Sequence, residues 1–134
     1  LEGNGVLVEQ RFIEVARATL SVDRLTAELV AYAHLFRAAD DQGDPLWKSM
    51  YPAFPPVICV FSGAPRDGLE RRRSTAIALL ASDPDLTRSP SVDVLFCLGH
   101  DLRQHGPFAP IFTGANHREP VDWLGRQPAK EANP

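Results

Sequence analysis

The sequence holds only two cysteines, Cys59 and Cys97, among 134 residues. That excludes a disulfide-stapled scaffold, and with no partner Cys or His at CxxC-like spacing it also argues against a structural zinc site. Both cysteines sit inside apolar runs, VICVF and VLFCL, where a free thiol behaves as a small hydrophobe. If those runs are neighbouring strands the thiols stand close, though nothing requires a bond between them. Lysine is equally scarce, two against twelve arginines, and the net charge is −3. This is not the footprint of a protein that coats nucleic acid. No apolar run approaches the roughly 20 residues needed to cross a bilayer, and no charged-then-apolar leader opens the chain. With Leu1 as its first residue, the chain reads as a cytoplasmic domain cut from a longer protein, with no membrane partner. Neither a Walker loop, a GxGxxG turn nor a GxSxG elbow occurs, so a nucleotide cofactor or a serine hydrolase has no support. The four histidines form no HxH or HExxH pair. His100, Asp101 and His105 follow a strand, and a solvated loop of ordinary residues outweighs a metal cluster there.

What is present describes one α/β domain. Apolar residues make up 44% and charged residues 23%, an ordinary globular balance, and the length fits a single domain over residues 1–134. Val6–Val8 and Phe12–Val15 read as two short strands joined around Glu9-Gln10-Arg11, the second central and largely buried. A helix follows, with Ser21 as N-cap and Asp23 in the first turn, where the helix dipole favours an anion. Leu25, Leu29, Tyr32 and Phe36 form its apolar stripe, and Asp40 to Pro45 ends it. Prolines 52, 55 and 56 lead into a strand at Val57–Phe61. A second helix is expected from Leu69 to about Ala81, burying Leu69, Ala76, Leu79 and Leu80. A loop bounded by Pro84 and Pro90 precedes a strand at Val92–Leu98. From about residue 107 the chain is Pro-rich and irregular, with short strands at Ile111-Phe112 and Val121–Leu124. Strands alternating with helices favour a mixed β-sheet flanked by helices.

Glu14 is the most informative residue. A carboxylate inside an apolar strand costs several kcal/mol if it stays charged and unpaired. It therefore needs a cation, a hydrogen-bond network or a metal. Arg11, Arg17 and Arg24 are close enough in sequence to pair with it and pin the strand to the helix; the functional alternative is a divalent-metal ligand. Arg71-Arg72-Arg73 is the only dense basic run. A helix spreads three consecutive residues around its circumference, so a solvated surface is the plain reading and a nucleic-acid contact the functional one.

The run FIEVARATLSVDRLTAELVAY resembles the signature of the replication-relaxation family of actinobacterial plasmid and mobile-element proteins. In that family a strand ending Glu-Val-Asp-Arg-Gly-Thr precedes a helix of the type Ser-x-x-Arg-Leu-x-x-Lys-Leu-x-x-Tyr. Glu14, Val15, Arg17, Thr19, Ser21, Arg24, Leu25, Leu29 and Tyr32 match it. Trp47, Tyr51-Pro52 and Phe54-Pro55 match its aromatic-proline lead, and Gly106-Pro107 with Ala109-Pro110 its late turn. The resemblance implies a restriction-endonuclease-like (PD-(D/E)XK-type) core, N-terminally truncated here, normally following a winged-helix DNA-binding region. Working nucleases of this type hold Mg²⁺ between acids on adjacent strands and use a lysine to activate water. Here the family's strand Asp is Ala16, its Gly is Ala18 and its helix Lys is Glu28.

The resemblance thus implies a degenerate site, not an enzyme, in which Glu14 is a relic of the catalytic and metal-binding acid. No cofactor is expected, or Mg²⁺ if catalysis survives. The expected role is a non-catalytic nuclease-like domain in plasmid or mobile-element DNA replication, reaching DNA through a neighbouring domain or a protein partner. Arg17, Arg24, Arg71, Arg72 and Arg73 are the candidate nucleic-acid contacts. Two alternatives stay open. One is a Mg²⁺-dependent DNA endonuclease with its other ligands upstream of Leu1. The other is a protein-interaction module using the Trp47–Phe54 segment or the triple-arginine helix.

Overall fold

A computed structural model describes residues 10–88 and 90–128. Three strands, β1 (Phe12–Arg17), β2 (Val57–Ser62) and β3 (Val94–Leu98), form one sheet in the order β1-β2-β3. Both pairings are parallel. Helix α1 (Val22–Arg37) links β1 to β2, and α2 (Arg66–Ala81) with the short α3 (Pro84–Thr87) links β2 to β3. Parallel neighbours need such crossovers. The expected mixed sheet is thus a parallel one among the described residues. Antiparallel pairing there is limited to isolated bridges, Phe96–Thr113 and Phe112–Val121 on one side and Ala39–Pro45 in the α1–β2 connection. The strand expected at Val6–Val8 lies outside the described residues.

The register sorts the side chains into rows. On one face run Phe12–Val57–Val94, Glu14–Cys59–Phe96 and Ala16–Phe61–Leu98; on the other run Ile13–Ile58–Leu95 and Val15–Val60–Cys97. The first face packs under α1, α2 and α3, with Leu25, Leu29, Ala33, Leu69, Ala76, Leu80 and Leu86 buried against it. The second face is covered by the C-terminal segment, where Phe112 and Val121 close over Ile58, Leu95 and Cys97, flanked by Trp123 and Leu102. Cys59 and Cys97 therefore lie in adjacent strands but on opposite faces. Both are free and buried, and an odd register step, not distance along the chain, keeps them apart.

Helix α1 begins as its sequence requires. The Ser21 hydroxyl accepts from the Arg24 amide at 3.1 Å, Asp23 lies in the first turn, and Leu25, Leu29 and Ala33 are buried. Asp40 closes the following turn by accepting from the amides of Gln42 and Asp44, with Gly43 at φ 83°. The aromatic rings of the segment after it pack against one another and against β1 and α1. Phe54 meets Phe12, Phe36 and Trp47 with ring centroids 5.1–5.8 Å apart, and Tyr51 abuts Phe12 at 5.6 Å. The rings of Trp47, Tyr51 and Phe54 are thus half-buried, while Lys48, Ser49, Met50, Pro52 and Ala53 of the same segment are exposed.

Other boundaries also move. Among the described residues β1 is an edge strand rather than the central buried one expected: Ile13 and Val15 are 56% and 59% exposed, because the C-terminal segment covers β2 and β3 only. α2 starts at Arg66, three residues early, since Pro65 is well placed to precede a first turn. Leu79 is exposed while Leu80 turns inward. The stretch after β3, expected as a loop, is helix α4 (Gly99–His105), closed by Gly106 at φ 77°. Among the described residues no helix is long and apolar enough to cross a membrane.

Candidate functional site

Period-two alternation in β1 puts Phe12, Glu14 and Ala16 on the helix-facing side. Phe12 and Ala16 join the core there, whereas Glu14 stands at the sheet edge, half-buried. The Tyr32 hydroxyl, two turns along α1 from Leu25, donates to Glu14 Oε1 at 2.6 Å. That bond, and not a guanidinium, satisfies the strand carboxylate. Arg17 and Arg24 are exposed. Arg11 donates from Nε to the Trp123 carbonyl at 3.0 Å and lies over the Trp123 ring. The expected Glu–Arg pair is therefore replaced by a carboxylate–phenol pair, because the α1 stripe brings Tyr32 over the strand.

Glu14, Glu28, Ala31, Tyr32 and Leu35 line an open recess at this edge. Burial raises the Tyr32 phenol well above its ordinary range, reinforced by its bond to Glu14 and by the negative field of Glu14 and Glu28. The next residue in Glu14's row is Cys59. Burial first, then the Glu14 charge, pushes that thiol up to about 12, so at neutral pH it is neither a thiolate ligand nor a nucleophile.

A Mg²⁺ site needs several oxygen donors converging on one point. Among the described residues no group of three or more His, Cys, Asp or Glu could hold a metal ion. Around Glu14 the sheet supplies Cys59 and Phe96 in its row, with fully buried Ala16 two residues on. Among the described residues only Glu28 joins Glu14 in the recess as a second carboxylate, which does not fit the donor set of Mg²⁺.

Of the candidate nucleic-acid arginines, Arg17, Arg24 and Arg71 are exposed, and Arg72 and Arg73 are half-buried. Arg17 ends β1, Arg24 sits in the first turn of α1 and Arg71 is exposed on α2. Arg72 turns inward and donates to the carbonyls of Leu20 and Arg17, tying α2 to the β1–α1 turn. Arg73 is half-buried and lies close enough to Asp101 to lower its pKa. Helical rotation of about 100° per residue separates the three, as the spacing predicts.

The residues grouped as His100, Asp101 and His105 fall on α4. Asp101 takes a two-point ion pair from Arg66, which holds its carboxyl below the usual range. His100 Nε2 lies 3.2 Å from the Ala64 carbonyl oxygen. These contacts lock α4 to the start of α2 and leave no converging ligand set. Sequence reasoning marked Glu14, Glu28 and Tyr32 separately; the signal joining them is that Tyr32 lies four residues beyond Glu28, on the same side of α1. No family model, curated protein or solved structure matches the chain.

Proposed function

We propose that this chain is a non-catalytic, nuclease-like domain of a replication-relaxation-type protein, a cytoplasmic scaffold in plasmid or mobile-element DNA transactions. It would reach DNA through a neighbouring region or a protein partner. The observation that carries the loss of catalysis is the setting of Glu14. Its carboxylate is held by the Tyr32 hydroxyl at 2.6 Å, and its strand face continues into the buried methyl of Ala16. Hydrolysis of a phosphodiester needs a metal-bound water and a cation against the developing charge. Among the described residues no group of three or more His, Cys, Asp or Glu forms such a metal site, which supports the non-catalytic reading. The parallel strand–helix–strand unit carrying Glu14 toward its own crossover helix is compatible with the restriction-endonuclease-like core, of which it would be the second part.

The test has two arms. Supercoiled plasmid incubated with the chain and Mg²⁺ or Mn²⁺ is expected to stay intact; nicking that disappears in Glu14→Gln would restore the endonuclease reading. Crosslinking in cells carrying the plasmid is expected to recover plasmid DNA with the native protein. Failure to recover it would remove the DNA role and leave only the fold. A salt-sensitive shift of duplex DNA by this domain alone would move the contact onto it, with Arg71 as the first residue to change.

A further inference from the structure

The two faces of β1 are chemically unlike, and its outer edge pairs with no other strand among the described residues. On the helix side the edge opens onto the recess containing Glu14 and Glu28, with Tyr32 between them. On the opposite side Ile13 and Val15 extend the apolar rows Ile13–Ile58–Leu95 and Val15–Val60–Cys97. Leu95 and Cys97 in those rows are buried, whereas Ile13 and Val15 are more than half exposed. A strand edge of this kind is a template for further pairing.

We propose that the open edge of β1 is a docking site for an extended segment of a partner protein in which apolar residues alternate with lysine or arginine. A segment added beside β1 would gain main-chain hydrogen bonds along the edge and place its side chains alternately on the two faces. Those on the outer face meet Ile13 and Val15; those on the helix face meet Glu14 and Glu28. The charge pattern selects this occupant over two others. A second copy of the chain would bring its own Glu14 and Glu28 to the same seam, and facing like charges is unfavourable. The chain's own N-terminal run from Gly3 to Glu9 contains no lysine or arginine to set against the acids. The docking site is independent of the DNA reading above, since a partner of any process can carry such a segment.

The experiment uses the full chain and a fluorescein-labelled peptide of about eight residues, valine alternating with lysine, followed by anisotropy. A valine–glutamate peptide and a block-ordered valine–lysine peptide serve as controls. The alternating valine–lysine peptide is expected to bind, with amide shifts confined to β1 and α1, and both controls to bind at least roughly tenfold more weakly. Glu14→Gln and Glu28→Gln should each weaken binding by about fivefold and flatten its salt dependence. Glu28 lies on a helix surface, so its variant tests the charge even if the strand substitution disturbs folding. Ile13→Lys with Val15→Lys should abolish binding while thermal melting shows the fold intact. Equal affinity for the valine–glutamate peptide, or none for any peptide, would overturn the proposal. So would a dimer in sedimentation that dissociates on Ile13→Lys, or binding that emerges only after residues 1–9 are deleted, since another occupant then holds the edge.

Discussion

At the scale of single residues, the buried titratable groups make stability depend on pH in the alkaline range. The Tyr32 phenol is raised from its ordinary value of 10.0, and burial pushes both Cys59 and Cys97 from 9.0 up to about 12. A raised pKa in the folded state means that the unfolded chain releases these protons first. The stability they carry is complete below pH 9 and is lost as pH rises toward the folded values. The urea midpoint should therefore fall steadily above pH 9. Tyr32→Phe should cost about 1 kcal/mol at neutral pH, by removing the bond to Glu14. It should also make the fall above pH 10 shallower, and the late-ionising phenol should vanish from the ultraviolet titration. An unchanged alkaline slope in Tyr32→Phe would show that folding does not raise the Tyr32 phenol.

At the scale of elements, α2 shows why a run of like residues is not a surface. Arg72 reaches back to the Leu20 and Arg17 carbonyls, satisfying the turn that leads β1 into α1, while Arg71 points to solvent. Arg72→Ala should destabilise the domain by about 1–2 kcal/mol, and Arg71→Ala should stay within about 0.5 kcal/mol, measured by chemical denaturation. Equal effects would contradict the inward role of Arg72. The existence of α1 was legible in sequence, because Ser21, Asp23 and the Leu25–Leu29 spacing are local signals that act within one or two turns. The partner of Glu14 was not legible. Three arginines nearby in sequence were plausible partners, and only the packing of α1 across β1 brought the Tyr32 hydroxyl to it instead.

At the scale of the whole molecule, the sheet is enclosed asymmetrically. Helices cover most of one face, with the Tyr51 and Phe54 rings over Phe12 and a recess left open at Glu14, and a C-terminal strap covers two strands of the other. The strap is pinned by the Phe96–Thr113 and Phe112–Val121 bridges, by the Arg11–Trp123 contact and by His117 against Asp93 at 3.2 Å. It lies against β3 at Gly114, where a Cβ would meet the Val94 carbonyl oxygen at 2.5 Å. Gly114→Ala should therefore lift the strap and destabilise the fold by about 1–3 kcal/mol. Hydrogen exchange should rise at Phe112 and Thr113 and in β3, with α1 little affected. A neutral Gly114→Ala would mean that the strap is not closely seated on the sheet.

The sequence by itself determined where chain segments become strand or helix, because capping, period and proline are read over a few residues. The tertiary structure decided that, among the described residues, the sheet is parallel, that β1 lies at its edge and that the two thiols face opposite ways. These depend on strand order and register, which follow from how α1, α2 and the strap share the sheet's faces and not from any local signal. The scarcity of cysteine excluded a stapled scaffold; the register went further and separated Cys59 from Cys97 across the sheet. Glu14 was visible as a charge out of place, but the edge position that leaves it half-buried beside Tyr32 and Glu28 exists only once the three strands are in order.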